Sequence, residues 1–361
     1  MDHYEKLRQR LDAHPAGAPP SGFMDKILRI LFSPEEAEVA CYLKFSNQPL
    51  SKIAEKSGRN AEELEAILER MADKAIIMSK MGKDGERKYS LLPTIPGLFE
   101  FPFMAPERTP NKEELGKLWH DYHTEALGDA FSGNPTAAVR VVPVQRTIPA
   151  TTEVLHYEQV SHLIATAKYI ALTECACRHS VGACDKPKEV CLIFEDVGKF
   201  LVERGYARQV DQAEALKALD LAEESGLVHC TNNSKDGPLV ICNCCGCCCT
   251  LLRGINVCKN PHAVAISSYV VDYREDECIG CMACMDDRCQ VYAIHENEDI
   301  VGVEIDRCIG CGLCVSVCPT GALTMKLRDK MPDVPTSGRE LFMTQIQEKG
   351  KIEAFVKLNQ E

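Results

Sequence analysis

The sequence is short of positive charge, of long apolar runs and, through its first half, of cysteine. Lysine and arginine number 41 against 53 aspartates and glutamates, a formal net charge of −12 over 361 residues. That balance argues against a surface built for nucleic acid or anionic membrane. No apolar run reaches the roughly 18–20 residues that a membrane-spanning helix needs. No early stretch has the charged, apolar, small-residue order of a secretory signal. No G-x-G-x-x-G follows a predicted strand, so nothing points to a nicotinamide or flavin dinucleotide. The expectation is a soluble, cytoplasmic protein of two or three domains.

What the chain does have is cysteine, 21 in all. Cys41 alone precedes residue 175, and all the others fall between Cys175 and Cys318. A disulfide scaffold belongs to short secreted chains. The same density without an export signal points to metal.

The cysteine-poor half reads as helices and a hairpin. Residues 1–22 end in "HPAGAPPSG" and are expected to be a flexible lead. In "SPEEAEVACYLKF", Ser33 is a helix N-cap, Pro34 takes the first helical position and Glu36 completes a capping box. A second helix fits "LSKIAEKSG", stopping at Gly58. A third starts at Asn60, with Leu64, Ile67, Leu68 and Met71 on one face. "AIIMSKMGKDGERKYSLL" then reads as strand, turn, strand. Three helices and a hairpin over residues 23–95 resemble a winged-helix domain. Its third helix, however, carries Glu62, Glu63, Glu65, Glu69 and Asp73 against Arg70 and Lys74. Duplex binding wants the opposite sign there, so a protein-docking or structural module is favoured over a DNA reader. Residues 96–137 are a proline-rich connector and a helix over 112–131, where His120 and His123 read as an ordinary polar face rather than as metal ligands.

Further on, "AVRVVPV" reads as a strand, "YEQVSHLIATAK" as a helix and "YIALTECACR" as a strand. A helix starts near Asp211 and stops at Gly226, and a hairpin turns at Asp236-Gly237. Two cysteine groups fall in this region. One is Cys175, Cys177, Cys184 and Cys191, with Arg178 and His179 among them; the other is Cys242, Cys244, Cys245, Cys247, Cys248 and Cys249, flanked by Cys230 and Cys258. Consecutive cysteines on an extended chain face opposite sides, so the second group cannot all address one cubane. A further iron–sulfur cluster shared by the two groups is the leading expectation, with zinc and redox-active thiols as the alternatives.

The strongest signal is an internal repeat. "DECIGCMACMDDRCQVYAI" (276–294) matches "DRCIGCGLCVSVCPTGAL" (306–323) at a period of about 30 residues. The second copy has the spacing Cys308-x2-Cys311-x2-Cys314-x3-Cys318-Pro319, that of a bacterial [4Fe–4S] run. Over 271–325 the chain closely resembles bacterial two-[4Fe–4S] ferredoxins. That resemblance implies one cluster on Cys278, Cys281, Cys284 and Cys318, and another on Cys308, Cys311, Cys314 and Cys289. The first copy departs from the pattern: four residues separate Cys284 from Cys289, and no proline follows. The segment holds eleven acidic residues against three arginines, a face suited to steering a basic redox partner. Together, the CxCR motif, the CNCCxCCC motif and the ferredoxin pair, over about 140–325, look like ferredoxin-type proteins of anaerobic bacteria.

The expected fold is α+β and multi-domain. It comprises a winged-helix-like domain (23–95), a cysteine-rich α/β middle domain (138–270), a dicluster ferredoxin-like domain (271–325) and a helical tail (326–361). The expected function is electron transfer through two [4Fe–4S] clusters and a further cysteine-ligated centre to a partner oxidoreductase. The alternatives are an oxidoreductase with substrate chemistry at the middle centre, and a redox-sensing winged-helix regulator.

Overall fold

The computed structural model describes residues 2–149, 155–285 and 287–360; Asp286, one of the acidic residues counted above, lies outside them. Residues 2–22 are not a flexible lead. Asp2 caps α1 (His3–Asp12), which buries Tyr4, Leu7 and Leu11 at helical spacing. Ala16 and Ala18, within the proline-rich stretch, are buried too. The turn residues that read as a linker are here a packed corner.

Helix α2 (Gly22–Leu31) leads into α3 (Pro34–Ala40), whose capping box between Ser33 and Glu36 is formed. The Glu36 carboxylate also takes Lys74 Nζ at 2.6 Å. Helix α4 (Leu50–Ser57) ends on Gly58 at φ 67°, a left-handed cap that favours glycine. Asn60 caps α5 (Ala61–Asp73), which buries Leu64, Ile67, Leu68 and Met71. Strands β1 (Gln48–Pro49), β2 (Ile77–Met81) and β3 (Arg87–Leu91) form an antiparallel sheet in the order β1-β3-β2. The connector buries Phe99, Phe101 and Phe103 around α6 (Glu100–Phe103). The helix expected over 112–131 is divided into α7 (Lys112–Tyr122) and α8 (Gly128–Ser132) by a wider turn.

The middle region is one six-stranded antiparallel sheet in the order β4-β8-β9-β6-β5-β7. Its strands are β4 (Val139–Val141), β5 (Ile170–Glu174), β6 (Glu189–Phe194), β7 (Arg208–Gln209), β8 (Val228–Asn232) and β9 (Val240–Cys244). Leu192 and Phe194 of β6 and Ile241 of β9 pack with α9 (Val160–Thr166) and α12 (Gln212–Glu224). Side chains alternate across a strand, so Cys191, Cys242 and Cys244 point to the opposite face. That face looks toward the N-terminal half, where Ile193 joins the larger core with Phe101 and Phe200. The strand expected through Arg178 ends earlier, at Glu174. Cys175 instead starts α10 (Ala176–Val181), which turns Cys177 and Arg178 inward.

Helix α11 (Glu195–Glu203) and the residue after it hold α5 and the β2–β3 hairpin. Arg204 pairs with Asp73 at 2.6 Å and Glu69 at 2.9 Å; Arg87 pairs with Glu203 at 2.8 Å. The acidic residues that spoil α5 as a duplex reader thus have a use inside the chain. Beyond α13 (Thr250–Asn256), β10 (Tyr269–Tyr273) pairs with β13 (Leu323–Leu327), and β11 (Ile294–Asn297) with β12 (Ile300–Val303). Helices α14 (Gly338–Glu348) and α15 (Ile352–Gln360) close the chain. They fold back on its start: Lys349 Nζ donates to the carbonyls of Pro15, Ala130 and Phe131 at 2.6–2.9 Å, and Lys351 pairs with Asp12. No described helix is long and apolar enough to cross a membrane.

Candidate metal centres

The repeat near the C-terminus gathers its cysteines into two separate pockets. Cys278, Cys281, Cys284 and Cys318 line one, with Ile279, Met282 and Pro319. Cys289, Cys308, Cys311 and Cys314 line the other. In both copies the backbone after the first cysteine turns left-handed at glycine. A Cβ on Gly280 would lie 1.9 Å from the Asp299 carbonyl oxygen, and one on Gly310 would lie 2.1 Å from that of Tyr269. Main-chain donors reach the sulfurs: Ala293 N–H to Cys289 Sγ at 3.0 Å and Leu323 N–H to Cys318 Sγ at 3.5 Å. Each pocket offers four thiols on walls shaped for an anionic sulfur-rich group, which is the donor chemistry of a [4Fe–4S] cluster. The extra residue before Cys289 is absorbed by Asp287, itself left-handed at φ 55°.

The ten cysteines of the two sequence groups divide in a way that cuts across both groups. Four form a tight quartet. Cys184 Sγ lies 3.8 Å from Cys245 Sγ and 3.8 Å from Cys248 Sγ, and Cys247 Sγ lies 3.8 Å from Cys248 Sγ. All four sulfurs are within 4.8 Å of one another. The turn at 245–248 brings its three cysteines together, and Cys184 comes from the loop after α10. The neighbouring Cys248 thiol and the Arg178 guanidinium hold Cys245 well below the ordinary thiol range.

The other six form a ring. Cys175 lies beside Cys177 and Cys191, Cys191 beside Cys242, Cys242 beside Cys244, Cys244 beside Cys249, and Cys249 beside Cys177, close enough for each thiol to act on its neighbour's charge. Cys230, flanking in sequence, joins at Cys244. The sheet register explains half of the ring: Leu192 faces Ile241, which sets Cys191 beside Cys242, and Cys244 follows on the same face. The start of α10 supplies Cys175 and Cys177, and Cys249 caps α13. Within the ring, thiol donation from Cys175 and Cys249 holds Cys177 well below the ordinary range. Thus Cys244 and Cys245, adjacent in sequence, serve different sets, as do Cys248 and Cys249.

Arg178 stands between the two sets and is 1% exposed. One nitrogen donates to the Asn243 carbonyl at 3.0 Å and lies 3.8 Å from Cys245 Sγ. Its Nε and Nη2 have no protein partner. A buried guanidinium with two free donors beside a thiol ring fits an anionic sulfur-bearing centre, to whose sulfurs it can donate. His179 takes no part, being paired with Glu174. His120 is hydrogen-bonded to Arg253 at 2.9 Å, the ordinary polar role expected of it.

A family model described as a 4Fe-4S binding domain matches residues 301–324, the stretch with Cys308, Cys311, Cys314 and Cys318. This is an iron–sulfur protein. At least one [4Fe–4S] cluster belongs to it, and its cysteine-rich middle suggests further metal sites. No curated protein and no solved structure matches the chain.

Proposed function

We propose that the chain is an iron–sulfur electron-transfer protein with four metal centres. Two [4Fe–4S] clusters sit in a bacterial-type dicluster ferredoxin domain (271–325), on the two sets of four cysteines named above. A multinuclear iron–sulfur centre sits in the ring of Cys175, Cys177, Cys191, Cys242, Cys244 and Cys249. A single tetrahedral ion, zinc by preference, sits in the quartet of Cys184, Cys245, Cys247 and Cys248. Clusters carry single electrons between partners, and the residues of this chain set where each centre lies.

The observation that carries the reading is the closed ring of six cysteines against Arg178. One cubane takes four thiolates, so six suit a larger centre. The quartet is too tight for a cubane, whose cysteines each cap a separate iron; its 3.8 Å edges suit one ion bound by four thiolates. Electron entry falls at the first ferredoxin site. Cys281 is exposed there, with Glu275 and Asp276 exposed beside the cluster loop, a surface for a basic protein donor. The winged-helix-like module (23–95) acts as an internal brace, since α5 is engaged by Arg204. That engagement disfavours the redox-sensing regulator, which needs α5 free for DNA.

The test is iron, acid-labile sulfide and zinc per chain, on protein purified without oxygen. The expected result is about twelve or more irons with about one zinc. About eight irons would leave the ring without a cluster and overturn the assignment of the middle region.

A further inference from the structure

The ring of cysteines is the floor of a cavity of about 720 Å³. Seven of its lining residues are cysteines, the six of the ring and Cys245. The rest of the wall comes from elsewhere in the chain. Leu92, Ile95, Phe101 and Met104 belong to the segment from β3 to just past α6, while Leu341 and Phe342 belong to α14. A cavity built only to seal a metal centre needs no wall from three distant segments. Sites for small molecules are commonly about 300–1,000 Å³, largely apolar, with a few placed polar groups. Part of the lining is exposed where the β8–β9 turn meets α14. Asp236 and Leu239 are the exposed lining residues there, and the Gly338 N–H donates to Asp236 Oδ2 at 2.9 Å.

The charges in the lining narrow the occupant. Glu100, Glu195 and Asp236 stand against a single arginine, Arg178, and no lysine. Arg178 is turned to Asn243 and the sulfurs. With the two free donors of Arg178 given to the sulfurs of the ring centre, the lining holds no second cation for an anionic ligand. Glu100, half-buried, is the carboxylic group among the apolar residues of the connector, accepting the Gly97 N–H at 2.8 Å. Burial pushes its carboxyl up to about 8, so at neutral pH it is a hydrogen-bond donor.

We propose that this cavity is the substrate site of the ring centre, taking a neutral, mostly apolar small molecule whose carbonyl-type oxygen accepts a hydrogen bond from Glu100. The proposal rests on the ring being a redox centre, which places the bound molecule against it. It makes the protein the site where electrons are used, beyond carrying them.

The test uses the whole chain, purified without oxygen, with its iron counted. The probe is 6-propionyl-2-dimethylaminonaphthalene, a neutral aromatic ketone whose emission moves to the blue in apolar surroundings. The expected result is saturable binding of one probe per chain with a blue shift. The matching naphthalene carboxylate is expected to bind at least about tenfold more weakly, because its charge is buried unpaired. Glu100→Gln keeps a donor and retains the affinity. Glu100→Leu loses about three- to tenfold, the effect of one net hydrogen bond. The visible spectrum of the clusters, unchanged in both variants, shows that the fold survives. Binding that is absent, or equal for ketone and carboxylate, or unaffected in Glu100→Leu, overturns the proposal. Failure with twelve or more irons present sinks this proposal alone, whereas about eight irons removes the reading beneath it.

Discussion

Replacing Cys184 by serine tests the quartet at its most accessible strand of evidence, its size. Three of the six edges of the quartet are 3.8 Å and none exceeds 4.8 Å, and a tetrahedron of 3.8 Å edge has its centre about 2.3 Å from each corner, the zinc–thiolate bond length. X-ray absorption at the zinc edge should therefore report four sulfurs at about 2.3 Å. Structural zinc binds with roughly 10–16 kcal/mol at neutral pH, so one thiolate of four is worth about 3–4 kcal/mol. Cys184→Ser should lower zinc affinity by two to three decades, read by competition with a chromogenic chelator. Cys184 is only partly buried, so packing loss is small. Iron and the visible absorbance should stay as in the parent, because no ring or ferredoxin cysteine is touched. Loss of about four irons with zinc unchanged would mean the quartet is one side of a cubane, and the distance argument would fall.

Two further outcomes follow from buried charges. Arg204→Met removes both the Asp73 and Glu69 pairs from a side chain that is 7% exposed. Because the partners are partly solvated, the expected loss is about 1–3 kcal/mol, with faster amide exchange in α5; a change below about 0.5 kcal/mol would show that the brace rests on apolar packing instead. His14 is half-buried between Phe45 and Phe342, and burial, with Lys349 and Lys351 nearby, lowers its pKa to about 3. The unfolded chain then binds the extra proton between about 6.5 and 3, so stability falls as pH drops through that window, by at most about 1.4 kcal/mol per unit. His14→Phe should flatten the fall in melting temperature between pH 6.5 and 5 relative to the parent, and parallel curves would refute it.

Local signals carried much of the fold into view. The Ser33–Glu36 box, the Asn60 cap and the Asp211 cap all form where their spacing puts them. These are contacts within three residues, so the pattern contains its own geometry. The hairpin around Asp236-Gly237 is local too, whereas the two cysteine pockets, each joining both copies of the repeat, were legible only through the family resemblance. What was illegible depends on distant partners. Leu7 and Leu11 show helical spacing, but only the packed corner at Ala16 and Ala18 makes residues 2–22 part of the core. Nothing near Glu69 or Asp73 in sequence announces Arg204. The division of the ten middle cysteines was half legible. Alternation forbade one common centre, but the sorting into four and six needed the end of β5 at Glu174 and the turn at 245–248. Glu100 gave no sequence signal at all, since a lone glutamate in a proline-rich connector is ordinarily a surface residue.

The residue inserted before Cys289 now has a physical role. In a free ferredoxin such an insertion would only lengthen a loop. Here the lengthened loop is tied to the middle region at every step: Lys186 pairs with Asp287 at 3.2 Å, Arg288 donates to the carbonyls of Glu223 and Glu224, and Gln290 accepts the Gly246 N–H at 2.7 Å. Gly246 sits inside the quartet turn, so the first repeat is joined directly to the cysteine run. Val291, Ala293, Ile309 and Leu313 then pack in one apolar cluster with Cys244 and Cys249, and Cys289 and Cys311 lie against it. The pocket of Cys289, Cys308, Cys311 and Cys314 therefore backs onto the ring through this apolar cluster, while Cys281 of the other pocket is exposed. Such an arrangement orders the centres by burial, from an exposed entry, through a shielded relay, to a ring enclosed on a cavity. With centres where we propose them, electrons from a donor at the acidic face would pass inward in that order, and the loop that breaks the ferredoxin pattern is the one that ties the repeat to the region of the ring.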